Sequence, residues 1–215
     1  MRLKEFIPEA RRNPELNPRH HTIDVLSRLY AQTVKNNDYI SEDIPNLFAS
    51  FTRIEKLGIR PDKTYVLNPV GVYAHPVKAI LEDGNVENFY AGDRPLVNVF
   101  QISGSVLNLE TIDSQQQTEL YEQARHWIPE SYVRILPRFR DSTEWWQSML
   151  NLGSKHFKKI WRCDAQVATN KLFRTLGFTA IIDPGMYLIT SDIIAQLIVL
   201  DVRTIKNNRT FPNLY

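Results

Sequence analysis

At 215 residues the chain is the length of one domain, because single hydrophobic cores stop growing at roughly 250 residues. Hydrophobic residues make up 43% and charged residues 23%, an ordinary globular balance that excludes fibrous and broadly disordered classes. A net charge of +2 is too small to imply a nucleic-acid partner by itself, and the lone cysteine, Cys163, excludes an intrachain disulfide or a cysteine zinc site and predicts a reducing compartment.

Residues 1–21 carry Pro8, Pro14 and Pro18 among Arg11, Arg12, Arg19, His20 and His21, a pattern that predicts an arm outside the core and a domain over 22–215. The first residues lack the apolar core of a secretory signal, and no later run approaches the ~18 apolar residues that cross a bilayer, so neither export by that route nor a membrane span is expected. Thr22 or Asp24 is positioned to cap a helix in which Ile23, Leu26, Leu29, Tyr30 and Val34 recur at helical spacing through Lys35. Strands are predicted over 47–52, over 70–74 as far as Pro76, and over 96–102 and 105–109, with a turn at 60–63 and a short helix over 77–81 closed by Asp83 and Gly84. Helices follow over 114–127, 141–161 and 162–176, the last with Gly177 placed as its C-terminal cap, and strands return over 178–182, 186–189 and 196–202. Strands, then helices, then strands predict an α+β fold in which residues 47–110 and 178–205 supply the sheet.

Charge is uneven. Arg134, Arg138, Arg140, Lys155, Lys158, Lys159, Arg162, Lys171 and Arg174 face only Asp141, Glu144 and Asp164 in the same stretch. Residues 111–165 therefore read as a basic helical insert, in which Trp145, Trp146, Phe139, His156, Phe157 and Trp161 either stack on nucleic-acid bases or pack the insert behind a solvated face. No Walker loop, GxGxxG, HExxH, GxSxG or CxxC motif occurs, so any chemistry comes from residues distant in sequence.

The run Phe48-Ala49-Ser50-Phe51-Thr52 through Lys56-Leu57-Gly58-Ile59-Arg60-Pro61 is followed by Tyr65 and by Asn68-Pro69-Val70-Gly71-Val72-Tyr73-Ala74-His75-Pro76. Ala91-Gly92-Asp93-Arg94-Pro95, Leu172-Phe173-Arg174-Thr175-Leu176-Gly177-Phe178 and Gln196-Leu197-Ile198-Val199-Leu200 come later in the same chain. Together these blocks resemble the ADP-ribosyltransferase-like domains of phage and plasmid polyvalent proteins, over about two thirds of the chain between residues 47 and 205. The resemblance implies a split β-sheet core with packed helices. It also implies NAD as cofactor and transfer of ADP-ribose to, or cleavage of NAD near, a host protein or nucleic acid, in the host cytoplasm or associated with a virion.

By that resemblance Ser50 and Thr52 hold the first-strand position, Gly71 and Tyr73 the second block with Tyr73 stacking on nicotinamide, Asp93 and Arg94 a further cofactor contact, and Gln196 the third-motif position. Gln196 and Tyr73 are the candidate catalytic residues. Active transferases of this kind carry Arg or His on the first strand and Glu on the third, where this chain has Ser50 and Gln196. A neutral amide offers no full negative charge to a developing cation, so the alternative is a catalytically inactive structural or assembly protein that uses the arm and the basic insert to bind partners. Each candidate also has a packing role open to it: Tyr73 as a strand aromatic, Gln196 as an edge-strand amide, Asp93 and Arg94 as a loop ion pair, and His75 as an ordinary polar residue before a turn. The arm histidines lack partners at metal spacing, and Cys163 lacks the surroundings of a nucleophile.

Overall fold

Proline loses nothing at the first position of a helix, where its missing N–H would have had no partner, and helix α1 (Pro18–Lys35) begins on one. The computed structural model describes residues 18–54, 56–61, 66–90, 93–128, 139–185, 188–189 and 194–214. Residues 1–17 of the expected arm lie outside these, while 18–21 belong to α1, so the helix expected from Thr22 begins four residues earlier. Thr22 caps nothing: its hydroxyl lies 3.0 Å from the Leu214 carbonyl oxygen and accepts from the Leu214 N–H at 3.1 Å.

The chain divides into two compact units, one of Met1–Leu57, Ala74–Ile102 and Ile205–Tyr215, the other of Gly58–Tyr73 and Ser103–Thr204. Both mix helices with strands, and strand pairing is antiparallel in all described pairs but one, as the element order predicts for an α+β chain.

In the first unit, β3 (Phe48–Thr52) lies between the last residues of β4 (Val72–Pro76), of which Ala74 to Pro76 belong to this unit, and β5 (Leu96–Ile102), antiparallel to both. All of β3 is buried, which explains its lack of polar alternation. Pro76 does not stop β4 but closes it, because an N–H is dispensable at a strand's last residue. Helix α2 (Val77–Asp83) follows directly and ends on Gly84 in the left-handed conformation at φ 74°, the predicted terminator.

A hairpin of β1 (Tyr39–Ser41) and β2 (Ile44–Pro45) and the edge strand β9 (Ile205–Pro212) have no counterpart in the sequence reading. Strand β9 pairs with β5 through a register shift beside Gln101, and Asn207, at φ 51°, places its side-chain amide on Gln101 there. Its exposed Lys206 and Arg209 suit an edge that must not recruit another strand.

In the second unit, β6 (Val106–Asn108) runs parallel to β7 (Ala180–Asp183), which is antiparallel to β8 (Gln196–Val199). Helix α3 (Ser114–Arg125) starts on a reciprocal cap in which Asp113 accepts from Gln116 N and the Gln116 side chain accepts from Asp113 N. Helix α4 (Ser142–Asn151) continues into a π-helical turn, Leu152–Phe157, and then α5 (Lys158–Trp161).

The predicted continuation through Arg162 is broken. Arg162 adopts a left-handed φ of 48° and caps α5, and helix α6 (Ala165–Thr175) restarts after Asp164. The strand expected over 186–189 is likewise absent at Leu188 and Ile189, whose N–H groups are taken by the Asp183 carboxylate at 2.7 and 2.9 Å; residues 186 and 187 lie outside the described residues.

Trp145, Trp146, Met149, Phe157, Leu172 and Phe173 are fully buried in the core of this unit, so Trp145, Trp146 and Phe157 pack and do not stack on a ligand. The two tryptophans differ in their polar atom. Trp145 Nε1 donates to the Gln117 carbonyl oxygen at 2.8 Å, whereas Trp146 Nε1 has no partner among the described residues. Trp145→Phe is therefore expected to cost about 0.5–1.5 kcal/mol more than Trp146→Phe, because it gives up a buried hydrogen bond and the other does not. Urea unfolding of the two variants checks the order, and equal costs would contradict it.

Candidate functional site

The first unit holds Ser50, Thr52, Asp93 and Arg94. Ser50 and Thr52 are buried on β3, where Ser50 stands opposite Asn98. Thr52 donates its only proton to the Ile54 carbonyl oxygen at 2.7 Å and accepts from Asn98 Nδ2 at 2.8 Å. Asn98 Oδ1 in turn accepts from the Thr210 hydroxyl at 2.7 Å, so a fully buried amide ties β3, β5 and β9 together. Thr52 thus keeps no proton for a ligand.

Asp93 and Arg94 are joined through the main chain: the Asp93 carbonyl oxygen accepts from Arg94 Nη1 at 3.0 Å and from Arg53 Nε at 3.1 Å. That arrangement fixes the loop and leaves the Asp93 carboxylate out of the contact. His75, half-buried on β4, meets the Phe89 ring edge-on at 5.2 Å.

The second unit holds Gly71, Tyr73 and Gln196. Gly71 exchanges two backbone hydrogen bonds with Arg60, at 2.9 and 3.0 Å. A Cβ there would lie 2.4 Å from Ile198 Cγ2 and 2.9 Å from the Val199 carbonyl oxygen, so glycine is required for the close approach to β8. Tyr73 packs its ring against the core, and its hydroxyl donates to the Pro69 carbonyl oxygen at 2.6 Å.

Behind them, the buried Asn170 side chain donates to the Val70 and Leu200 carbonyl oxygens at 2.7 and 3.1 Å, and sequence reasoning missed it. Nothing marks it in the sequence, because both acceptors are main-chain atoms far along the chain.

Gln196 opens β8 opposite Asp183. Its side-chain Oε1 is buried and has no hydrogen-bond partner among the described residues. A buried acceptor in that state costs about 1–3 kcal/mol unless a water or another donor meets it.

One carboxylate near β8 has a marked shift. Asp201 accepts from Arg203 and lies within 3.1 Å of Arg174, and the Arg203 hydrogen bond, then the charges of both arginines, hold its carboxyl at about 2. A depressed pKa gives stability that is present above the ordinary carboxylate value near about 4 and is lost as pH falls toward about 2. Asp201→Asn is expected to flatten the acid limb of stability between those values and leave it unchanged near neutrality apart from a constant offset. An acid limb of unchanged steepness would contradict this.

Among the described residues no group of three or more His, Cys, Asp and Glu side chains is arranged to hold a metal ion, and no helix is long and apolar enough to cross a membrane. No protein-family model, curated protein or solved structure matches the chain.

Proposed function

We propose that the protein is a phage-type ADP-ribosyltransferase-like protein that binds NAD, with Gln196 as its polar contact at the reacting end of the cofactor. The single observation behind this reading is the buried, unpartnered Oε1 of Gln196, at the position that the motif resemblance assigns to the third motif. The carboxamide and ribose hydroxyls of NAD are hydrogen-bond donors of the kind this acceptor lacks. Bound NAD supplies an activated ribosyl group that departs from nicotinamide as a cation-like centre, for transfer to a host protein or nucleic acid. The split-sheet arrangement of these enzymes, and action in the host cytoplasm or on a virion, belong to the same proposal.

Thr52 fits such a cofactor poorly, since its proton is committed to Ile54. Tyr73 would offer its ring and not its hydroxyl, which is committed to Pro69. These commitments, with the neutral amide at residue 196, favour a second reading in which the fold binds partners in a structural or virion role without catalysis.

Nicotinamide release separates the two. Gln196→Glu places a carboxylate where cationic charge develops, and on the enzymatic reading it raises release by about tenfold or more over wild type. Asp183 stands opposite residue 196, so the new charge also costs some stability and release must be compared at matched folding. Flat release in wild type, Tyr73→Ala and Gln196→Glu, with no NAD-dependent thermal shift in any of them, would leave the structural reading.

A further inference from the structure

The basic run acquires a shape in the second unit. Between residues 155 and 171, Lys155, Lys158, Lys159, Arg162 and Lys171 are all exposed, and Asp164 is the one acidic residue. Gly153, in the π-helical turn, lies so close to α6 that an added Cβ would sit 2.5 Å from Thr169 Oγ1 and 2.8 Å from Thr169 Cα. The left-handed Arg162 then turns the chain back, and Lys171 Nζ comes to 6.0 Å from the centre of the Trp161 ring. A cation from beyond the turn therefore lies over an aromatic that follows Lys158 and Lys159 and precedes Arg162 in the chain.

That aromatic belongs to a row. The Trp161 ring lies 4.6 Å from the buried Phe157, and Phe157 meets Trp127 edge-on at 6.2 Å. Trp127 is 43% exposed and Ile160 46% exposed, while Trp161 is half-buried. The buried Phe157 anchors both outer rings, of which Trp161 carries Lys171 over its face. His156 is held below its usual pKa chiefly by burial and further by the charges of Lys159 and Lys155.

We propose that this face, built on α5, the Arg162 turn and α6, binds single-stranded nucleic acid. Phosphates are drawn to the exposed cations, and bases stack on Trp161 and Trp127. Duplex DNA presents no free base faces, and an acidic peptide would use the charges without needing the rings, so one exposed and one half-buried aromatic near cations that have no carboxylate partner among the described residues favour the single strand. The assignment does not depend on NAD binding.

The test is fluorescence anisotropy of a labelled oligothymidylate with the full chain. With about four phosphates neutralised, affinity should fall about fiftyfold between about 50 and about 200 mM salt. The exposed double variant Lys158→Glu with Lys159→Glu should bind at least about tenfold more weakly at an unchanged melting temperature, and Trp161→Leu about fivefold or more. If Trp161→Leu does not fold, quenching of wild-type tryptophan fluorescence by the oligonucleotide takes its place. Salt-independent binding, no loss in the double lysine variant, no quenching, preference for duplex, or equal displacement by polyglutamate would each overturn the proposal.

Discussion

Gly71→Ala is expected to destabilise the second unit by about 1–3 kcal/mol, with Gly71→Val failing to fold. The reason is the Val199 carbonyl oxygen, 2.9 Å from where the Cβ would sit. A flexible side chain such as Ile198 can rotate away, but a main-chain oxygen at the end of β8 cannot move without loosening the strand. Both backbone bonds of Gly71 to Arg60 hold the residue in place, so the clash is not relieved by retreat. Urea denaturation of Gly71→Ala gives the cost directly. A loss below about 0.5 kcal/mol would mean that Gly71 and β8 are farther apart than described. The same measurement separates a packing role for Gly71 from a purely cofactor-facing one, which would impair ligand binding at unchanged stability.

The second large effect is expected at Asp183. Its carboxylate is buried and accepts from the N–H groups of Leu188 and Ile189, both themselves buried. Asp183→Ala strands two buried donors and should cost about 2–4 kcal/mol. Asp183→Asn keeps one oxygen that can take both N–H groups, so it should recover a good part of the loss. An Asn variant no more stable than the Ala variant would show that these two bonds are not what Asp183 contributes.

Residues that act on their near neighbours were legible in the sequence. Gly84 ends α2 and Asp113 opens α3 because the partner atoms lie within a few residues, and β5 was read at its observed limits from an apolar run with a buried centre. What was not legible depends on distant atoms. Strand β9 carries Lys206, Asn207, Asn208 and Arg209 in succession and has no apolar alternation; it is a strand because β5 offers it a ladder. The break at Arg162 lacks the glycine that usually announces a left-handed residue. Leu188 and Ile189 read as a strand by composition, but their N–H groups are claimed by a carboxylate.

The candidate site divides in the same way. Motif resemblance marked Gly71, Tyr73 and Gln196, whereas the commitments of Thr52 to Asn98 and of Tyr73 to Pro69 appear only once the strands are placed. In the basic stretch, composition gathered the aromatics into one group. Packing then separates the fully buried Trp145, Trp146 and Phe157 from Trp161, which is half-buried, and brings in the exposed Trp127, which the sequence did not single out.

Calorimetric titration of NAD into wild type and Gln196→Leu tests whether Gln196 Oε1 accepts a hydrogen bond from the bound cofactor, as proposed. The leucine keeps much of the side-chain volume and removes the acceptor. Saturable binding to wild type, weakened about fivefold or more in the variant by the loss of one hydrogen bond worth about 1 kcal/mol, is the predicted result. No saturable binding to wild type, or equal affinity in both proteins, would contradict it.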